Sequence, residues 1–372
     1  MKKLNANEER VLALISENPF ISQLEIAAKI QLSRSAAANI ISSLVEKNYL
    51  LGKAYIVNSQ EPIVAIGGAN VDRKIYSKEK IQAHTSNPAN SSQSVGGVAR
   101  NIAENLGRLG WNVSMVTIAG FDADFNFIKK ESEGFMDFSY STQMEMVATG
   151  SYTAILEDDG SLFVALADMD AYQHLLPEVL VQKEKLLQSA KCIVADLNSP
   201  KETLEYLLHF ANTNNKPLIF IPVSSPKIRN LPQDLTGLTW LITNQDESET
   251  FFKQTIDSGV SWENCAKKWL TLGVENVIIT RGCEGVLAVN QNGETAYQAA
   301  FKSEKVVDVT GAGDAFCSAV IDGWLNELPL EKTLEQATLN ALKTVESEYT
   351  VRPELTKNQL IKEIQAITQG EI

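Results

Sequence analysis

The string Asp308-Val-Thr-Gly-Ala-Gly-Asp-Ala-Phe316 carries the strongest chemical signal in the chain. Apolar residues 315, 316, 319, 320 and 324 then fall on one helical face, so a glycine-rich turn feeds a helix start. Gly311 and Gly313 let the backbone approach an anion closely, and the helix N-terminus aims N–H groups and partial positive charge at it. This turn is expected to hold phosphate. Asp314, in the first helical turn, places a carboxylate where a transferring phosphoryl group would sit, which makes sense if it takes a proton from the attacking hydroxyl. An ordinary helix start with an acidic first turn is the plain alternative, and the full nine-residue string argues against it.

Three further constellations fall where ligands bind. Gly96-Gly97 opens VARNIAENLGRLG, whose positions 99, 102, 103, 106 and 109 form one apolar face, and Asn101 near that helix start can both give and accept hydrogen bonds to hydroxyls. Gly67-Gly68-Ala-Asn-Val-Asp72 follows a strand, which puts Asn70 and Asp72 at a carboxyl end, where a carboxylate can grip neighbouring hydroxyls. Asn244-Gln-Asp-Glu247 follows another strand; Glu247 could help hold the Mg²⁺ that ATP brings, and a helix N-cap by Asn244 explains the same residues without function. Thr280-Arg-Gly-Cys-Glu-Gly285 ends a third strand, so Thr280, Gly282 and Gly285 could line a nucleotide site. Neither the P-loop string nor H-R-D is present.

These residues need a scaffold, and the chain supplies two. Residues 8–17 repeat apolar positions at helical spacing up to Asn18-Pro19, Ser22 with Glu25 makes a capping-box pattern for a helix ending near Gln31, and Ser33 caps a third helix. YLLGKAYIV reads as a small hairpin, which makes residues 1–58 a winged helix-turn-helix. A polar stretch ending at Pro62 is the linker. Beyond it, apolar runs at 63–67, 192–196, 217–223, 238–243 and 276–282 alternate with amphipathic stretches, which predicts a parallel sheet with helices on both faces over 62–372. Residues 73–95 and 147–166 break the alternation and are expected to form a small β flap that closes over a ligand.

Composition excludes other classes. With 44% hydrophobic and 21% charged residues the chain resembles an ordinary globular protein, and four scattered cysteines suggest buried thiols rather than disulfides or zinc. With no apolar run long enough to span a membrane and no secretory signal at the start, a cytoplasmic protein is expected. Net charge is −13, but residues 1–58 are at +2, so any nucleic-acid binding belongs to that segment.

In this order the motifs resemble the ribokinase-like, phosphofructokinase-B type carbohydrate kinases over nearly all of 62–366, with GGVARNIAENLGRLG and DVTGAGDAF as the two signatures. The resemblance implies a three-layer α/β/α sheet with a β lid, and a homodimeric kinase that uses ATP with Mg²⁺ to phosphorylate a sugar or nucleoside. By position it makes Asp314 the base, Gly311, Ala312 and Gly313 the anion hole, and Asn244 with Glu247 the magnesium-organising element. Asn70, Asp72, Gly96, Gly97 and Asn101 become sugar contacts, Asn340 borders the adenine, and Asp308 with Thr310 sits where relatives bind a monovalent cation such as K⁺. The segment SNPANSSQSVGGVARNIAENLG, the ALADMD run and SEYTVRPEL are most similar to pseudouridine kinases, some of which carry an N-terminal helix-turn-helix. A ribose, fructose or purine nucleoside kinase would share the phosphate-side motifs, and a regulator with a kinase-like sensor domain would have no need of Asp314.

The third helix of the first segment offers Arg34, Ser35 and Asn39 among alanines. With so few cations, the expected DNA affinity is modest and falls steeply with salt. A gel shift with promoter DNA from the protein's own operon should show a complex at low salt; no shift by the full-length chain or by residues 1–58 would overturn the assignment.

Overall fold

The computed structural model describes residues 3–51, 61–303 and 305–368. By mutual contact the chain divides into two units, residues 1–62 with 184–191, and residues 63–183 with 192–372. In the first, helices form where side chains cap them. Helices α1 (Ala6–Glu17), α2 (Gln23–Ile30) and α3 (Arg34–Glu46) pack Val11, Ile15, Ile26, Ile30, Ile41 and Leu44 into one core. Ser22 and Glu25 form the reciprocal capping box, and Asn5 with Glu8 forms a second that the sequence reading did not pick out. Residues 52–60, which carry most of the expected hairpin, lie outside the described residues.

The rest of the chain runs β1 (Ile63–Ile66), β2 (Asn70–Ser77), β3 (Ala89–Gly96), α4 (Val98–Arg108), β4 (Val113–Val116), β5 (Ile118–Gly120), α5 (Ala123–Glu131), β6 (Thr142–Met144), β7 (Ser151–Leu156), β8 (Leu162–Asp168), α6 (Pro177–Val181) and α7 (Glu184–Ser189). It continues with β9 (Cys192–Asp196), α8 (Lys201–Asn214), β10 (Leu218–Ile221), β11 (Trp240–Asn244), α9 (Gln245–Phe252), α10 (Gly259–Thr271), β12 (Asn276–Thr280), β13 (Val286–Asn290), β14 (Thr295–Gln298), α11 (Ala312–Leu325), α12 (Leu330–Val345) and α13 (Lys357–Thr368).

Among the described residues, eight strands form one sheet in the order β14-β13-β12-β11-β10-β9-β1-β4. Every residue of β1 and β9 is buried, whichever way its side chain points, so both sheet faces are covered. One face packs on α4 and α11, where Ile102, Leu106, Phe316 and Val320 meet Ala65, Val194 and Ile219. The expectation of a parallel sheet needs one correction: β13 and β14 are antiparallel. Their connections, residues 281–285 and 291–294, are far too short for the crossover a parallel pair requires.

A second sheet, β3-β2-β7-β8, stands apart from the first and draws its strands from the two segments that break the alternation. β2 and β3 pair in a register that sets Asn70 opposite Gly96 and Asp72 opposite Ser94. No described helix is long and apolar enough to cross a membrane.

Where the second half of α12 meets the start of α11, a buried polar cluster fixes the helices. Arg352, 1% exposed, donates to both oxygens of Glu363 at 2.7 Å and to Asn340 Oδ1 at 3.0 Å, and Asn340 Nδ2 donates to the Ala315 carbonyl at 2.9 Å. Removing one member of a buried pair leaves the other desolvated and unpaired, so Arg352→Ala should destabilise the fold by about 3 kcal/mol. Urea unfolding measures this; a loss below about 1 kcal/mol would place the pair among those contributing little.

Candidate active site

The site assembles from three loops at strand ends and two helix starts. After β1 the chain turns through Gly67 and Gly68 into β2, and after β3 it turns through Gly96 and Gly97 into α4. These turns touch: Gly97 has φ +100°, and a Cβ there would lie 2.4 Å from the Gly68 carbonyl oxygen. No side chain fits at Gly97. At the end of β9 the fully buried Asp196 accepts from the Gly68 N–H at 2.9 Å and the Ala99 N–H at 3.0 Å, joining both turns to one carboxylate. Burial pushes the Asp196 carboxyl up, and these N–H donors and Asn198 oppose that shift.

Around this anchor the polar residues gather. Asn70 Nδ2 donates to Asp72 Oδ1 at 2.6 Å, and a Cβ on Gly96 would collide with Asp72 at 2.2 Å, so this glycine gives the carboxylate its space. Burial raises Asp72 to about 6 against the pull of Lys74 and Arg100. Asn101, in the first turn of α4, donates from Nδ2 to Asp314 Oδ2 at 2.8 Å, bringing the two helix starts together. Contacts therefore join Asn70, Asp72, Gly96, Gly97, Asn101 and Asp314 into one cluster.

Gly311, at φ +83°, caps α11 with no side chain over the helix start, and a Cβ there would meet the Thr350 carbonyl oxygen at 2.1 Å. The turn can thus present N–H groups to an anion beside Asp314. Burial raises Asp314 to about 7; the Asn101 hydrogen bond lowers it, Asp196 raises it, and Arg100 lowers it again. A carboxyl held near neutrality is suited to taking and returning a proton.

A cavity of about 760 Å³ opens from the same turn. Ala312 and Gly313 line it, with Thr280, Gly282 and Gly285 from the strand-end loop after β12 and Thr338, Ala341 and Leu342 from α12. Asn340 does not line it, which corrects the expected adenine border. It is fully buried, turned inward by its bonds to Ala315 and Arg352, and α12 offers the cavity its neighbouring face. The Thr338 hydroxyl is buried at the cavity with no hydrogen-bond partner among the described residues. Sequence reasoning missed it, as it missed Asp196 and Asn198, because threonine on a helix and aspartate at a strand end are common.

Asn244 caps α9 and forms a capping box with Glu247, so the structural reading of this pair is realised. Glu247 is 3% exposed and accepts from the Asn244 N–H at 2.9 Å and the Thr243 hydroxyl at 3.0 Å. Burial nevertheless raises it to about 7. Burial first, then Asp314 and Glu247, push the Cys317 thiol well up, which puts both carboxylates near Cys317. Among the described residues no group of three or more His, Cys, Asp or Glu could hold a metal alone. A single carboxylate still fits a Mg²⁺ carried chiefly by phosphate oxygens and water.

Asp308 and Thr310 fit a monovalent cation less well. Asp308 Oδ1 accepts from the Thr310 N–H and hydroxyl at 2.9 and 2.7 Å, and Oδ2 pairs with Lys74 Nζ at 3.1 Å. Burial pushes Asp308 up, but these partners outweigh it and hold its carboxyl below the usual range. Both Asp308 carboxylate oxygens are thus already engaged by protein donors.

The model for pfkB family carbohydrate kinases matches residues 60–357, and a winged helix-turn-helix DNA-binding model matches residues 4–50. The chain belongs to the pfkB family of carbohydrate kinases. This kinase is 30% identical over 303 residues to a pseudouridine kinase of Escherichia coli, covering 81% of this chain and 95% of that protein. It is 26% identical over 282 residues to a guanosine-inosine kinase of Exiguobacterium acetylicum, covering 76% and 92%. The solved carbohydrate kinase from Agrobacterium tumefaciens superimposes with a TM-score of 0.72 at 28% identity, covering 82% of this kinase and 97% of that chain. The chain is thus a sugar or nucleoside kinase of ribokinase-like fold, with a winged helix-turn-helix ahead of the kinase body.

Proposed function

We propose that this kinase transfers the γ-phosphoryl group of ATP to the 5′-hydroxyl of a nucleoside, and that the nucleoside is pseudouridine. The observation that carries the reading is Asp314, raised to about 7 and hydrogen-bonded to Asn101, beside a side-chain-free helix start that opens on a nucleotide-sized cavity. In this reading Asp72 accepts from vicinal ribose hydroxyls and Asn70 fixes its orientation at 2.6 Å. Asp314 takes the proton of the attacking hydroxyl, and the N–H groups of Gly311, Ala312 and Gly313 hold the transferring phosphoryl oxygens. Glu247 would help hold the Mg²⁺ that accompanies ATP; when bound, that ion offsets phosphate charge.

The base is chosen on the flap. Tyr152 pairs with Asp72 across β7 and β2, and its half-exposed ring is available to cover a nucleobase above the ribose site. Ser151 and Met169 are the polar and apolar neighbours proposed for the rest of the base. The likeness to the Escherichia coli pseudouridine kinase supports that base, and the likeness to a guanosine-inosine kinase supports a nucleoside over a free sugar.

Replacing Asp314 with Asn should cut kcat about 100-fold or more with little change in the KM for ATP, the loss typical of a missing general base. Because the base must be ionised and its folded pKa lies above the ordinary value, kcat/KM of the native enzyme should rise with pH through about 7 and level off above it. A variant keeping most of its kcat would remove Asp314 from the reaction.

For the acceptor, kcat/KM should be highest for pseudouridine in a panel with uridine, ribose, fructose and inosine. Uridine lacks the second ring N–H, so a site built to bond it would leave a buried acceptor unpaired. If ribose or fructose matches pseudouridine, the acceptor is wrong and the kinase assignment stands.

A further inference from the structure

Arg100 is only 2% exposed, yet it lies in the first turn of α4 directly beside Asn101. Its N–H groups are distributed. Nε donates to Ser132 Oγ at 3.1 Å, Nη1 to Asn101 Oδ1 at 3.0 Å, and Nη2 to the Glu104 carboxylate. Glu104 is held from its other side by Arg108 Nε at 2.8 Å. The backbone N–H of Arg100 donates to the Gly68 carbonyl at 3.1 Å, so the residue is also tied to the turn after β1.

A guanidinium has donors and no acceptor, and an ionised carboxylate has acceptors and no donor. Asn101 lies between one of each. Its oxygen must face Arg100 and its amide nitrogen must face Asp314; a flipped amide would set oxygen against carboxylate and N–H against N–H. We infer that Arg100 is a positioning residue: it fixes the Asn101 amide so that it donates to ionised Asp314, and it supplies the buried positive charge that lets that base ionise. The inference rests on the reading of Asp314 as the base.

The charges around Asp314 agree. Arg100 from α4, Asp72 from β2 and Asp196 from the end of β9 act on it, and Cys317 on its own helix is coupled to it. Asp196 and Asp72 raise its pKa, and the Cys317 thiol, pushed well up, stays neutral. Arg100 is the one cation of these four. Without it, two carboxylates and burial would act against a single amide donor.

The test is the pH profile of kcat/KM for the full-length enzyme with its best acceptor. Arg100→Met should move the rising limb up by about one pH unit, equivalent to a tenfold loss of activity at a fixed pH below the limb. Glu104→Gln, which removes the charge offsetting Arg100, should move the limb down. Arg100→Lys keeps the charge without the planar fork, so its limb should stay near the native position while kcat falls. Thermal unfolding shows which variants fold, and if Arg100→Met does not, the direction of the Glu104→Gln shift decides. Limbs that stay at the native pH while activity drops would make Arg100 merely structural. An active Asp314→Asn would instead remove the base itself, a separate failure.

Discussion

The Asp196 carboxylate, buried at the end of a central strand, is the constraint on which the acceptor side of this kinase depends. It accepts N–H groups from two chain turns that are distant in sequence, at Gly68 and Ala99. The glycines at 67 and 68 follow from it, since a Cβ at Gly67 would lie 2.3 Å from that carboxylate and one at Gly68 would meet Asn198 at 2.8 Å. A buried acceptor that is fully bonded specifies one arrangement, because each displaced N–H would leave a desolvated group unpaired. Asn70 and Asp72 begin where the first turn ends, and Asn101 begins where the second ends.

Excluding water has an electrostatic result. Asp72, Asp314 and Glu247 are all raised, to about 6, 7 and 7, and burial is the largest cause in each. Each has hydrogen-bond donors or a nearby cation opposing that rise. The balance leaves carboxyls that change protonation near neutrality, the range in which a general base is most effective. Such a site is costly to hold, and the apolar packing of α4 and α11 on the sheet is what keeps the two helix starts facing each other.

Much of the fold was legible in local pattern. Continuous β-branched runs announced the central strands, Ser22 and Ser33 announced helix starts, and the glycine-rich strings announced turns that feed α4 and α11. The antiparallel edge was less so, because β13 and β14 are short and only the length of their connections sets their direction. Asn340 shows the limit of positional carry-over. Its place along α12 is the expected one, but which face it presents is set by Arg352, from a segment twelve residues later.

The sequence by itself determined which segments turn, which are helical or extended, and which residue types could do phosphoryl chemistry, because those properties reside in local backbone preference and side-chain chemistry. Only the tertiary structure decided which of those residues meet. The Asn101–Asp314 hydrogen bond joins groups 213 positions apart, and the pairing of Lys74 with Asp308 engages a carboxylate that motif position alone left open. The ionisation of each acid was likewise a tertiary outcome, since burial and the charge of a neighbour such as Arg100 depend on packing rather than on the order of residues along the chain.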